Sequence, residues 1–155
     1  MNSEIIFKEI TEENLRTVMK LSDTLSENQS KAVASNAVSI AQAHYAKNAW
    51  FRAIYYGPEP VGFIMLNYTP IERYKNTKHA FLCRFMIGGK YQKKGYGKAA
   101  LELLIRKLSN EGYEKFITSV DDKFGPIEFY KKIGFVDTGE FIDDDERVLV
   151  LDLLK

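Results

Sequence analysis

Apolar and polar positions change period several times along this chain, and each change predicts an element. IIFKEI, Ile5 to Ile10, is a short β-branched run that reads as an opening strand. Thr11 offers a helix cap with Glu12 and Glu13 in the first turn, where the helix dipole favours carboxylates. Leu15, Val18, Met19 and Leu25 then keep helical spacing. A polar break, SENQSK, leads to a second predicted helix over Ala32–Lys47, carried by Val33, Ala37, Ile40, Ala41 and Tyr45. WFRAIYY and VGFIMLNY flank GPEP, whose glycine and prolines break helix and ladder alike, so this stretch predicts an antiparallel hairpin. AFLCRFMI is a further strand. After a glycine- and lysine-rich loop comes a helix over Gly95–Asn110, with Leu101, Leu104, Ile105 and Leu108 as its apolar stripe and Lys98, Glu102 and Arg106 facing water.

Gly112 ends that helix, KFITSV reads as a strand and PIEFYKKI as a short helix stopped by Gly134. FVDTGEF and RVLVLDLL close the chain as two strands around the acidic tip DDDE. The predicted order is β-α-α-β-β-β-α-β-α-β-β. Antiparallel hairpins surround one β-α-β unit, with no repeat, low-complexity segment or linker. The fold class expected is α/β (α+β): a mixed, mainly antiparallel sheet of about seven strands with flanking helices, as one domain over residues 1–155.

Composition narrows the function classes. Lys and Arg total 22 against 21 Asp and Glu, a net charge of +1, which argues against a nucleic-acid partner. Hydrophobic residues make up 45% and aromatics 13%, as in a folded globular chain of 155 residues with a real core. The single cysteine, Cys83, excludes an internal disulfide and fits a reducing compartment. MNSEIIFKEI lacks a basic segment followed by a long apolar run, so no signal peptide is expected, and no apolar stretch approaches membrane-spanning length. A cytoplasmic protein without a membrane partner is the expectation. No metal site is expected.

The chemistry concentrates in YQKKGYGKAALELLIRKL, Tyr91 to Leu108. GYGKAA matches a dinucleotide fingerprint, and Asp121 ends the next strand roughly where a ribose-binding acid belongs. Against that reading, GGKYQKK intervenes between the strand and Gly95, hairpins precede the motif, and Lys93, Lys94 and Lys98 exceed what one pyrophosphate on a helix dipole requires. A P-loop is excluded because no Gly-Lys-Ser/Thr follows. What remains is a helix N-terminus with free N–H groups over about 93–98, glycines that admit an anion, and adjacent cations. A pyrophosphate fits.

Gln92-x-x-Gly95-x-Gly97 after RFMI resembles the acyl-CoA signature of the GNAT superfamily of N-acetyltransferases, in the slot between strand and helix where that family carries it. FYKKIGF resembles the family's second hallmark. AVASNAVSIAQAHY, RAIYYGPEPVGFIML, FLCRFMIGGKYQKKGYGKAAL and GFVDTGEFIDDDERVLVL resemble, in that order, the spermine/spermidine acetyltransferase branch, so the resemblance covers almost the whole chain. Three positions depart from it. Lys93 stands where glycine is common, Gly88-Gly89 where an acid and proline are common, and Lys123 in place of a frequent asparagine.

The resemblance implies acetyl-CoA as cofactor and direct attack of an amine on its thioester. Phe85, Met86, Ile87, Gln92, Lys93, Lys94, Gly95, Tyr96, Gly97 and Lys98 would bind the cofactor. A splay beside RFMIGG would leave backbone near Phe85–Ile87 for pantetheine. Tyr130 would be the catalytic acid, since a phenol of pKa near 10 is protonated at neutral pH. Glu72, His79, Glu140 and Glu146 remain candidates for the base. Cys83 lacks a histidine partner and reads as a small apolar strand residue. Glu140, Asp143, Asp144, Asp145 and Glu146 would meet the acceptor amine as an acidic wall, against the alternative of a solvated turn. Trp50, Tyr55, Tyr68 and Tyr74 would line an aromatic groove, and Glu27, Asn36, Ser39 and Gln42 lie where the fold varies its acceptor. The expected activity is N-acetylation of a polyamine or diamine by a homodimer. Other amines (an aminoglycoside, an amino acid, a protein N-terminus) and a non-catalytic acyl-CoA-binding domain are the alternatives.

Overall fold

Serine caps divide the N-terminal helical region more finely than its apolar spacing suggests. The computed structural model describes residues 4–154; Met1–Ser3 of the opening segment and Lys155 lie outside the described residues. Strand β1 (Ile5–Lys8) is followed by α1 (Leu15–Leu21) and a 3-10 turn over Ser22–Thr24. Thr11 does not cap α1. Its own N–H donates to Asn14 Oδ1 at 2.8 Å, and the helix starts only after Asn14. Leu25 is already extended.

The predicted break SENQSK is itself helical. Ser26 and Gln29 form a capping box, with Gln29 N–H donating to Ser26 Oγ at 3.2 Å and Ser26 N–H to Gln29 Oε1 at 3.1 Å. This box opens α2 (Glu27–Ala32). β-branched Val33 is extended, and the Ser35 hydroxyl starts α3 (Asn36–Tyr45). The helix expected over 32–47 is α3 alone, starting four residues later, and the expected break before it is α2, with a corner at 33–35 between the two.

The remaining elements follow the predicted order: β2 (Ala49–Tyr56), β3 (Glu59–Asn67), β4 (His79–Ile87), α4 (Tyr96–Asn110), β5 (Lys115–Asp121), α5 (Ile127–Ile133), β6 (Val136–Ile142) and β7 (Glu146–Asp152). They build one mixed sheet in the order β1-β2-β3-β4-β5-β7-β6, antiparallel everywhere except between β4 and β5. The expected seven-stranded, mainly antiparallel α/β architecture is observed.

Both sheet faces are covered. On one, α4 and α5 pack over Ile54, Ile64, Leu82, Phe116 and Leu149, with Ala100, Leu101, Leu104 and Leu108 of α4 fully buried and Ile105 at the margin. On the other, α1 and α3 pack over Ala53, Phe63, Met65 and Met86. Truncating any one of those buried leucines to alanine would cost about 2–5 kcal/mol. α4 is thus anchored along its length, and its N-terminus is held in place.

One local irregularity shapes the site. β4 and β5 pair in parallel only from His79–Lys115 to Leu82–Thr118. Just beyond, Cys83 takes up a β-bulge against β3, because Leu66 faces Leu82 while Met65 faces Arg84. The Thr118 hydroxyl donates to Leu82 O at 3.0 Å, closing the end of the ladder. From there the two strands diverge.

Candidate active site

The divergence opens a cleft of about 950 Å³ walled by residues 82–87 of β4, residues 118–121 of β5, the start of α4, the β5–α5 turn and Asp145–Glu146 at the head of β7. Beyond Leu82, the edge of β4 that faces β5 has no strand partner among the described residues, so its main-chain groups are available to an extended, amide-bearing ligand.

The loop after β4 is held tightly before it reaches α4. Gly89 N–H donates to Thr24 Oγ1 at 2.7 Å, and a Cβ on Gly89 would come within 2.3 Å of Thr24 O. The Gly88-Gly89 pair is what lets the 3-10 turn seat there. Gln92 spends its polar groups inside the protein. Its N–H donates to Gly89 O, and its side-chain amide donates to Ile87 O at 2.9 Å and exchanges hydrogen bonds with Gln29 of α2. Lys93 adopts φ +62°, the left-handed region that a glycine takes without cost. Gly95 at φ +83° precedes α4, and nothing lies within 4 Å of where its Cβ would be. Among the described residues, the amides of Lys93 to Lys98 donate to no other backbone group. Six free N–H groups, an open approach over Gly95 and the exposed lysines make an anion cradle at the positive end of a 15-residue helix.

The ring of Tyr130 packs against Phe129 and Phe135 at 5.3 and 5.4 Å, and the residue lines the cleft. Burial pushes the phenol well above its ordinary value, with the Thr118 hydroxyl pulling slightly the other way. It stays protonated through neutral and mildly alkaline pH. Across the strand divergence stands Glu146, half-buried, accepting from Ser119 Oγ at 3.2 Å. Strand alternation puts Thr118 on the Tyr130 face and Ser119 on the α3 face, so Tyr130 and Glu146 approach the gap from opposite sides of the sheet. Arg84 reaches in from β4, held by Ser39 Oγ (3.2 Å), Gln42 Oε1 (3.1 Å) and Cys83 O (2.7 Å).

The family profile of the Acetyltransferase (GNAT) family matches residues 15–135 of this sequence. The chain belongs to the GNAT acetyltransferase family. It is 31% identical, over 96% of its length and 99% of the relative's, to the spermine/spermidine N(1)-acetyltransferase of Bacillus subtilis strain 168. Among solved structures, an acetyltransferase from Thermus thermophilus has the same fold with a TM-score of 0.75 at 17% identity, over 98% of this chain and 99% of that one. The PaiA N-acetyltransferase of Thermoplasma acidophilum, solved in complex with coenzyme A, aligns with a TM-score of 0.67 at 18% identity, over 96% and 99%. As a GNAT enzyme the protein is an N-acetyltransferase, and acetyl-CoA is its cofactor. Its own residues fit that group: an amide cradle for a diphosphate, a free strand edge for the pantetheine amides, and a protonated phenol where the two strands part.

Of the cofactor residues expected in this GNAT chain, Phe85, Met86, Ile87, Gln92, Lys93, Gly95, Tyr96, Gly97 and Lys98 line the cleft, and Lys94 does not. The acidic wall divides. Asp145 and Glu146 line the cleft, whereas Asp143 and Asp144 take φ +53° and +64° in the exposed hairpin turn and Glu140 pairs with Arg73. None of the four aromatics expected in a groove lines the cleft. Trp50 packs on Phe7 and under Arg52 and Lys107, Tyr55 accepts from Asn14, Tyr68 stacks near Tyr113 and Tyr74 near His79. Ser39 and Gln42 orient Arg84, Asn36 is buried on Val18 O, and Glu27 pairs with Lys31.

Asp121 holds the β5–α5 turn through the N–H groups of Lys123 and Phe124 (3.0 and 2.7 Å), which is the work of an Asx turn. Sequence reasoning did not single out Arg84, Ser119 or the α2 strap. Arg84 had a signal, being the only charge in AFLCRFMI.

Proposed function

We propose that this enzyme transfers the acetyl group of acetyl-CoA to a primary amine of a polyamine or diamine by direct attack. The observation that carries the reading is that the carboxylates of Asp145 and Glu146, with Asp121 beside them on β5, line the same cleft as the lysine–glycine loop. An acceptor with several ammonium groups is attracted to such carboxylates, while the cofactor's diphosphate is drawn to the lysines and the start of α4. The 31% identity to a spermine/spermidine acetyltransferase points the same way.

Acetyl-CoA supplies an activated acetyl thioester. The amides of Lys93–Lys98 hold its diphosphate, with Gly95 and Gly97 leaving room and Lys93 and Lys98 adding charge. Gln92 keeps the loop in shape by tying it to Ile87 and Gln29. The free edge at Phe85–Ile87 aligns the pantetheine and offers an N–H to the acetyl oxygen. Tyr130 delivers a proton to the departing sulfur. Burial raises the Cys83 thiol, and the Arg84 guanidinium beside it offsets this only in part, so a thiolate nucleophile is disfavoured and transfer is direct. The same reading takes residues 1–155 as a single cytoplasmic domain acting as a homodimer.

A second reading has one observation in its favour. Arg84 lines the acceptor end, and its hydrogen bonds go to neutral oxygens. An acceptor carrying a carboxylate, such as an amino acid or peptide, would give that guanidinium an anion. Thiol release with spermidine, spermine, putrescine, free amino acids, an aminoglycoside and short peptides separates the two. Turnover on the polyamines supports the first reading. Turnover confined to amino acids or peptides replaces it with the second, and coenzyme A binding without any transfer makes the domain non-catalytic.

A further inference from the structure

The reaction needs an acceptor for the proton that the incoming ammonium must lose, and the sequence offers four candidates, Glu72, His79, Glu140 and Glu146. Three are committed elsewhere. His79 is buried, its Nε2 accepting from Ile71 N–H at 2.9 Å and its Nδ1 bonded to Thr77 O at 2.9 Å. Both ring nitrogens are therefore occupied. Glu72 pairs with Lys75 on the surface at 2.8 Å, and Glu140 pairs with Arg73. Neither lines the cleft.

We propose that Glu146 is the proton acceptor for the attacking amine. This rests on the acetyltransfer reading above but not on which amine is used. Register places it: β7 pairs antiparallel with β5 so that Glu146 faces Asp121, level with the open part of the β4–β5 gap and on the sheet face opposite Tyr130. Ser119 donates to Oε1 and leaves Oε2 for the substrate. The flanking Arg147 turns away, to Asp122 and Asp137 at 2.8 and 3.0 Å, so it does not neutralise Glu146.

The surroundings raise the basicity of this carboxylate. Burial is the largest influence and pushes its pKa up. Ser119 holds it down, Asp121 on β5 and Asp145 on the turn push it up, and Arg84 on β4 holds it down. The net direction is upward, toward a better base.

The step balances without a further reactant. The ammonium N–H bond breaks and its proton passes to Glu146. The freed nitrogen lone pair forms the new bond to the acetyl carbon while the carbon–sulfur bond breaks, and the sulfur takes the proton of Tyr130. Glu146 gives this first proton to solvent and then takes the second N–H proton, which the acylated nitrogen loses as it becomes the amide. That proton returns through solvent to Tyr130, so the net change is ammonium plus thioester to amide, thiol and one released proton.

The test uses the full-length protein and the best amine of the panel. Glu146→Gln keeps shape and hydrogen-bonding capacity. Its kcat is expected to fall about 100-fold or more near neutral pH, with melting temperature and acetyl-CoA affinity retained. The wild type needs Glu146 ionised, so its rate falls as pH drops through the raised pKa of that carboxyl. The variant lacks this acid limb and instead gains rate about tenfold per pH unit as free amine accumulates toward pH 10. Glu146→Asp is expected to retain the acid limb at reduced rate.

A Glu146→Gln enzyme with wild-type kcat, or with the loss confined to KM, overturns the assignment. So does a glutamine variant whose rate still levels off above the same pH as that of the wild type. If the wild type acetylates no amine at all, the acetyltransfer reading fails first. If it acetylates only non-polyamines, the substrate class fails while the Glu146 test runs unchanged on the amine that works.

Discussion

Replacing Tyr130 with phenylalanine separates a role in proton delivery from a role in packing. The ring is 5% exposed and sits between Phe129 and Phe135, contacts that phenylalanine keeps. Only the hydroxyl, which meets Thr118, is lost, and the packing of the ring is unchanged. Near pH 7 the stability of Tyr130→Phe is expected within about 1 kcal/mol of wild type. Turnover is expected to fall by about 100-fold or more, the usual contribution of a positioned acid, with acetyl-CoA affinity nearly unchanged.

Burial adds a second signature. The folded phenol is raised above the unfolded value of about 10, so both states are protonated below pH 10 and the group contributes equally there. As pH climbs past 10 only the unfolded chain ionises at this position. The wild type then loses about 1.4 kcal/mol of stability per pH unit relative to the phenylalanine variant. Tyr68, Tyr74, Tyr96 and Tyr113, also raised by burial, are common to both proteins and cancel in the difference. Urea unfolding followed by fluorescence of the single tryptophan, Trp50, measures that difference, and thiol release measures kcat. Full turnover in the variant removes Tyr130 from the chemistry. Parallel stability curves above pH 10 would show that the phenol is not buried as described.

Three further outcomes are expected. Lys93→Gly relieves a left-handed backbone at φ +62° and should stabilise the fold by about 1 kcal/mol, raising the melting temperature by about 2–4 °C in calorimetry while weakening acetyl-CoA binding through the lost charge; a lower melting temperature contradicts the strain argument. Gly97→Asp places a Cβ 3.4 Å from Phe129 and 3.5 Å from Phe85, which the cleft tolerates, and a carboxylate at a helix N-terminus, which the fold welcomes. Titration calorimetry should show acetyl-CoA affinity weakened more than about tenfold at constant melting temperature, and unchanged affinity would sink the phosphate-loop assignment. His79→Ala orphans Ile71 N–H and should cost about 1–3 kcal/mol of stability with kcat per folded molecule preserved; a fall in kcat at unchanged stability would return His79 to the active site.

The parts of the fold legible in the sequence are those set by local chemistry. Alternation and turn residues marked every strand, and the 3.6-residue stripe of Leu101, Leu104 and Leu108 marked α4 and its buried face. The N-terminal helices were misdrawn because apolar spacing was weighed above caps. Ser26-x-x-Gln29 is a capping box written with glutamine, and it starts a helix in which no residue is buried, so periodicity carried no trace of it. The aromatic groove failed for a different reason. Period-2 alternation shows that Trp50 and Tyr55 face opposite ways, but not that β1 and α4 cover the one and α1 the other.

The side of the cleft proposed for the acceptor was hidden by topology. Had the last hairpin been laid down in chain order, β6 would pair with β5 and Glu146 would begin a strand one position farther from the gap, about 5 Å away. Instead β7 is inserted between β5 and β6, which puts the start of β7 against the end of β5 and brings Glu146 beside Ser119. The three-residue turn at Asp143–Asp145 then accounts for the division of the acidic tip. Asp143 and Asp144 carry the left-handed backbone of the reversal and point to solvent, while Asp145, whose carbonyl accepts from Asp122 N–H at 2.8 Å, is drawn back toward the sheet. A run of four acids that reads as one feature in the sequence is two in space, half turn and half cleft wall. What divides them is the pairing of Asp121 with Glu146, a long-range contact that local pattern does not encode.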